Sequence, residues 1–347
     1  MVGGCDCLER WKGMLYLLGA FSLAGTSVIT GWFLNERLGV FTITAVSLFF
    51  ALLCLLPLCL RNLMKTVRRL SIREWRILFF QALFGMFLFR MFLLYGLQHT
   101  SSAEAGILTG ATPAFTVILA GMLLKESMNR TKLVGVLSTV GGVIVIQGLF
   151  SSDVSFSLHH IRGNALVLCA AASESYFNIL SRISSVKQNK TYDENIHPIV
   201  QTTLVSALAL MLCLVPSWFE NPAASLSAIG LKEWLALVWY GPIVTALAFI
   251  CWYAGIKRCQ ASTAAAFSGM MPFTALMLSV ILLKESAGWE QWCGGLLVII
   301  GMILIGRNQA QPGKLSMQPV SDHGMISGVR NERMDPDGGK RRTDKIG

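Results

Sequence analysis

Two ionisable side chains stand where ionisable side chains are expensive. Arg90 lies in Phe89-Arg90-Met91 and Glu174 in Ser173-Glu174-Ser175-Tyr176-Phe177-Asn178, each inside an apolar run long enough to cross a bilayer. A charge buried in lipid is retained when it has a partner, a substrate or a proton to serve. At ~1.5 Å per residue, Arg90 is about 12 Å and Glu174 about 16 Å from the outer ends of their helices, so similar depths are expected. A guanidinium presents a planar fork of donors to a carboxylate, whereas a carboxylate attracts an amine or takes a proton. Two alternatives follow: a static ion pair whose attraction offsets desolvation, or a division of labour in which one group holds substrate and the other a proton.

Other groups could complete such a site. Tyr176 and Asn178 share the segment of Glu174, and Glu104 lies less deep, near the outer end of its helix. Tyr95, Trp32, Trp252 and Tyr253 offer aromatic surface on other helices, although Trp and Tyr near helix ends equally form the interfacial belt. Gly110 and Pro113 in one run are matched by Gly269 and Pro272 in another. A proline about ten residues into a span removes an N–H and kinks the helix, and a glycine one turn earlier permits close approach, so these four are candidates for a hinge or cavity wall or for a packing kink.

What the apolar runs lack is equally informative. The seven aspartates and His99, His159, His160, His197 and His323 lie outside the runs or at their edges. An aspartyl dyad, a Ser-His dyad and an intramembrane histidine metal site are therefore disfavoured, and no Walker-type Lys-Ser/Thr loop occurs. The expectation is a protein that is not an enzyme and that uses no cofactor and no metal.

The elements that must position these groups are read from composition. Of 347 residues, 54% are hydrophobic and only 14% charged, well below the roughly 25% charged typical of soluble domains. Ten apolar runs are expected to cross the bilayer, at about 13–33, 38–60, 75–97, 103–124, 133–150, 163–182, 197–219, 233–256, 261–283 and 290–306. Lys and Arg divide unevenly between their connections: 24 fall on one side and only Arg37, Arg162, Lys232 and Lys284 on the other, with Arg90 inside a span. Because positive loops stay in the cytoplasm, both termini are expected there. The net charge of +10 belongs to these inner segments and the tail, so a nucleic-acid partner is not required; the expected partners are a small-molecule substrate and the lipid bilayer, for a monomer or homodimer of the plasma membrane.

The chain repeats itself. Leu123-Leu124-Lys125-Glu126-Ser127 returns as Leu282-Leu283-Lys284-Glu285-Ser286, and at that offset of 159, Gly96, Gly110, Pro113, Gly135 and Gly142 meet Gly255, Gly269, Pro272, Gly294 and Gly301. Fifteen of the 51 positions from 96 to 146 are identical. Each copy holds five spans, and because five is odd the copies must enter the membrane in opposite senses, an arrangement suited to alternating access. The expected organisation is a cytoplasmic segment 1–12, a first five-helix repeat 13–150, an inverted second repeat 151–306 and a disordered basic cytoplasmic tail 307–347. Channels and receptor-like proteins can also contain repeats, so they stand as the alternative to a carrier.

On the paired segments Gly110-Ala-Thr-Pro113 through Lys125-Glu126 and Gly269-Met-Met-Pro272 through Lys284-Glu285, the chain resembles the EamA-type members of the drug/metabolite transporter superfamily over about residues 13–306. The resemblance implies an all-α integral membrane fold of ten helices, and a secondary active transporter exporting amino acids or related metabolites, with proton coupling left open. It also implies a cavity lined mainly by helices one, three, four, six, eight and nine. The Lys-Glu-Ser motifs are then expected to be structural elements at helix ends.

Overall fold

Apolar side chains gain nothing by leaving lipid for one another, so membrane helices associate where small residues let backbones approach. The computed structural model describes residues 3–124, 129–146, 158–188, 196–258, 267–268, 270–285 and 288–308, and among these all regular structure is helical. In chain order the helices are α1 (Gly3–Asn35), α2 (Val40–Arg69), α3 (Ile72–Leu97), α4a (Ser102–Thr109), α4b (Thr112–Leu124), α5 (Arg130–Ile146), α6 (Leu158–Gln188), α7 (Pro198–Trp218), α8 (Leu231–Arg258), α9 (Met270–Leu282) and α10 (Trp289–Asn308). A six-residue helix, Pro222–Ser227, lies between α7 and α8.

Among the described residues, six stretches are long and apolar enough to cross a membrane: Trp11–Asn35, Val40–Arg69, Ile72–Leu97, Ser102–Leu119, Pro198–Trp218 and Leu231–Arg258. Met270–Leu282 and Trp289–Ile305 are shorter apolar helices. The basic segment after residue 60 is not a loop throughout, because α2 continues to Arg69. Long cationic side chains can reach the headgroups while their stems stay on the helix, so charge alone does not end it. The chain then turns through Ser71, whose hydroxyl accepts from the Glu74 N–H while the Glu74 carboxylate accepts from the Ser71 N–H, and α3 begins.

Several close helix crossings fall on glycines in matched pairs. A Cβ added at Gly96 of α3 would stand 3.0 Å from the Gly163 carbonyl of α6 and 2.7 Å from Val167. One at Gly255 of α8, the repeat partner of Gly96, would stand 3.3 Å from the Gly13 carbonyl of α1 and 2.8 Å from Leu17. In α5 and α10, Gly135 faces the Gly301 carbonyl and Gly142 faces the Gly294 carbonyl, at 2.9 and 2.6 Å from the added Cβ. The lower number of one helix thus meets the higher number of the other, so α5 and α10 cross antiparallel. The same holds for α4 and α9, where Gly106 abuts Ala275 and Gly110 abuts Pro272.

A second correspondence was invisible in the sequence. Leu83–Leu88 of α3 and Trp239–Leu247 of α8 are π-helical, and the offset of 159 carries the first onto 242–247 within the second. Pro242 in the second stretch has no N–H to donate, and one wide turn accommodates that defect without ending the helix. The first stretch contains no proline, so composition gives no cue to it.

Candidate functional site

Arg90 is held by two hydroxyls and an aromatic ring. Its Nη1 donates to Ser47 Oγ of α2 at 2.8 Å and its Nη2 donates to Thr245 Oγ1 of α8. Its Cζ lies 4.5 Å from the centroid of the Tyr240 ring, also on α8. Each hydroxyl has its own proton engaged elsewhere: Ser47 Oγ donates to the Thr44 carbonyl at 3.0 Å and Thr245 Oγ1 to the Tyr240 carbonyl at 2.8 Å. The oxygen lone pairs are thereby left for the guanidinium. Arg90 is 4% exposed, and cation–π attraction is strongest where water is excluded. The π-helical stretch brings Tyr240 and Thr245 onto one guanidinium, since residues five apart share a face only on a widened turn.

Glu174 turns to a different neighbour. Its Oε2 lies 2.8 Å from Thr112 Oγ1 at the start of α4b, and the same Thr112 hydroxyl lies 2.8 Å from the Thr109 carbonyl. Ser175 Oγ donates to the Thr112 or Ala171 carbonyl, each at 2.8 Å. Arg90 and Glu174 form no ion pair, and their depths differ. The Gly96–Gly163 crossing sets the register of α3 against α6. From that level Arg90 lies about 9 Å along α3 and Glu174 about 16 Å along α6. Start positions of apolar runs do not reveal the stagger between two helices, whereas a glycine crossing does.

Position along α6 also separates the remaining candidates. Gly163, Val167, Ala170, Ala171 and Ser181 are buried on one stripe, and Glu174 and Asn178, on the same stripe, are only partly so. Asn178 has no hydrogen-bond partner among the described residues. Tyr176 lies instead on the stripe of the exposed Ala165 and Cys169. Its ring stacks on Phe84 of α3 at 5.0 Å, and Phe84 stacks on the exposed Phe80, which makes Tyr176 a packing contact between helices. Of the other aromatic candidates, Trp252 packs edge-on to Phe21 at 5.5 Å and Tyr95 edge-on to Phe41 at 6.2 Å.

Pro113 and Pro272 stand at helix starts. The fourth rod is interrupted at Gly110 and Ala111, whose N–H groups donate three residues back to Ile107 and Leu108. Pro113 is the second residue of α4b and Pro272 the third of α9, where a missing N–H costs no helical hydrogen bond. The sequence places Pro113 in the middle of a continuous span; instead it follows a break, and Thr112, the partner of Glu174, opens α4b directly after that break. Gly110 and Pro272 touch at the α4–α9 crossing. Gly269 lies outside the described residues.

Glu104 sits at the start of α4a behind the cap Ser101. Its Oε2 accepts from Thr100 Oγ1 at 2.8 Å and from Asn164 Nδ2 at 3.1 Å, with His160 Nδ1 at 3.8 Å. It therefore ties α4a to the first turns of α6. A second polar centre was missed because it carries no charge. Buried Gln81 of α3 accepts through Oε1 from Gln201 Nε2 of α7 and from the Tyr253 hydroxyl of α8, both at 3.2 Å. Two glutamines inside apolar runs are the signal that could have found it, because a buried amide needs partners as a charge does. Ser47, Thr112 and Thr245 left no such signal, since lone hydroxyls in membrane helices usually bond to their own backbone.

Comparison with known proteins agrees with this architecture. The chain is 29% identical over 310 residues to Uncharacterized transporter YetK of Bacillus subtilis, covering 89% of this chain and 91% of that protein. It is 25% identical over 203 residues to a Probable amino-acid metabolite efflux pump of Salmonella typhimurium, covering 58% and 66%. A solved crystal structure superposes with a TM-score of 0.56 at 18% identity, covering 89% of this chain and 99% of that one, which speaks to the fold alone. The EamA-like transporter family model matches residues 11–148 and again 161–307. The chain is thus a multi-pass membrane transporter, not an enzyme, and it belongs to the EamA-like transporter family.

Proposed function

We propose that this transporter is a secondary active carrier that exports amino acids or related small metabolites by alternating access between two inverted five-helix repeats, 13–150 and 151–306, with both termini cytoplasmic. The observation that carries this reading is the antiparallel crossing of equivalent helices. Repeats related by an axis along the membrane normal would bring equivalent helices together parallel, whereas an axis in the membrane plane brings them together antiparallel. Gly135 with Gly301 and Gly142 with Gly294 exchange under the repeat offset, as a two-fold in the plane requires.

Glu174 and Asn178 are the proposed contact with solute and with the coupling proton. The Thr112 hydroxyl between Glu174 and the Thr109 carbonyl suits a proton switch. Ionised Glu174 accepts the Thr112 proton; protonated Glu174 donates to Thr112, which then donates to Thr109. The break of α4 at this hydroxyl couples that exchange to the angle between α4a and α4b. Arg90, enclosed by hydroxyls and a ring, fixes α2, α3 and α8 relative to one another. An amino-acid substrate is in keeping with the name of the Salmonella relative. Purified protein in liposomes tests the reading: uptake of a labelled amino-acid panel that saturates with concentration supports a carrier, and uptake linear in concentration supports a channel.

A further inference from the structure

Two carboxylates far along the chain bind helix starts early in it, in the same manner. Glu220, just after α7, accepts from the Phe41 N–H at 3.1 Å, the Thr42 N–H at 2.7 Å and the Thr42 hydroxyl at 2.8 Å. Glu285, just after α9, accepts from the Ser102 N–H at 3.2 Å, the Ala103 N–H at 3.0 Å and the Ser102 hydroxyl at 2.6 Å. Each spans two successive amides and one hydroxyl in the first turn of a helix, where unsatisfied N–H groups and the helix dipole favour an anion. Both join the second repeat to the first.

The backbone beside each carboxylate is strained. Asn221 has φ 51° and Lys284 φ 55°, and among the described residues these are the only non-glycine residues with positive φ. One immediately follows Glu220 and the other immediately precedes Glu285. Strained turns persist only where the surroundings hold them, and they concentrate at switching elements. Room is reserved as well: a Cβ at Gly39 would fall on the Glu220 carboxylate.

We propose that Glu220 and Glu285 form a paired clasp that holds one face of the transporter shut between the repeats, and that both contacts release, relaxing the two strained turns, when that face opens. The inference rests on the alternating-access reading above; in that topology the clasped face is the outer one. It is an intramolecular gate, distinct from the Glu174 region.

The test is spin-label distance measurement on the full chain in nanodiscs, with native cysteines replaced by serine. Label pairs at Glu36→Cys with Ala223→Cys, and at Gln98→Cys with Gly288→Cys, span the two clasps. With the clasps intact, each pair should show a predominant short distance. In Glu220→Ala/Glu285→Ala a longer population should grow, by about tenfold or more in the open-to-closed ratio for each clasp removed. If the alanine variant is not monodisperse, Glu220→Gln/Glu285→Gln, which keeps shape but loses charge, should give the same shift more weakly. Unchanged distances in a monodisperse variant would overturn the clasp. Unchanged distances beside saturable flux would leave the carrier reading standing, whereas opening without saturable flux would retain the clasp and remove the carrier.

Discussion

The guanidinium carbon of Arg90 lies 4.5 Å from the centre of the Tyr240 ring, while its two terminal nitrogens bind Ser47 and Thr245. A buried cation is thus held without a carboxylate, by three neighbours on two other helices. Removing either hydroxyl leaves an N–H unpaired away from water.

Ser47→Ala and Thr245→Val should therefore each lower stability by about 1–3 kcal/mol, measured by denaturant or thermal unfolding in detergent. A double-mutant cycle of Thr245→Val with Arg90→Met should show coupling of more than about 0.5 kcal/mol. Additive losses would mean that the contact carries no energy.

Glu174→Gln should reach the membrane at wild-type abundance, because the amide still accepts from Thr112. It should remove the pH dependence of flux, since nothing is left to take the proton. Thr112→Val should shift the pH profile without abolishing it. Flux that tracks pH equally in wild type and Glu174→Gln would remove the residue from coupling.

Neighbouring glycines in α5 should behave oppositely. A Cβ at Gly142 would meet the Gly294 carbonyl at 2.6 Å, whereas one at Gly141 meets nothing within 4 Å. Gly142→Val should cost about 1–3 kcal/mol through overpacking, and Gly141→Val should be nearly neutral. Fluorescence-detected gel filtration after heating compares them directly; equal melting would argue against the α5–α10 crossing.

At the N-terminal end of α1, Lys12 donates to Glu9 at 2.8 Å and Arg258 donates to it at 3.1 Å. Lys12 first and Arg258 second hold the Glu9 carboxyl below its ordinary value. The contribution of a depressed carboxyl is present above its unfolded-state pKa and is lost as pH falls through the lower folded value. Glu9→Gln should therefore melt with the same small offset from wild type throughout pH 7 to pH 6, and the offset should vanish only in strong acid. An offset that disappears between pH 7 and pH 6 would contradict the assignment.

Much of the scaffold was legible because membrane helices are written in long apolar runs. The duplication was legible because Gly96, Gly135 and Gly142 recur with Gly255, Gly294 and Gly301, and these glycines prove to be crossing points. Arg90 and Glu174 were visible as charges in lipid, but their partners were not. Ser47, Thr112 and Thr245 are hydroxyls of a kind that occurs in any membrane helix, and the widened turn joining Tyr240 to Thr245 has no compositional mark beyond Pro242. Lys284-Glu285 was recognisable as a helix-end element, yet which helix Glu285 would cap depends on a contact 183 residues away. Lys125, Glu126 and Ser127, its counterparts in the first repeat, lie outside the described residues.

The account rests on alternating access to the wall around Glu174, and a single thiol tests that most directly. Asn178→Cys, in the cysteine-replaced protein in oriented vesicles, is exposed to an impermeant maleimide from one face at a time, with and without a Ser102→Cys/Glu285→Cys disulfide across the clasp. The account predicts labelling from both faces in the unlocked protein. Under oxidation, labelling from the clasped face should fall about tenfold while that from the opposite face is kept or increased, and reductant should restore both. Labelling from the clasped face that persists at full rate with the lock formed would contradict alternating access and point to a continuous pore.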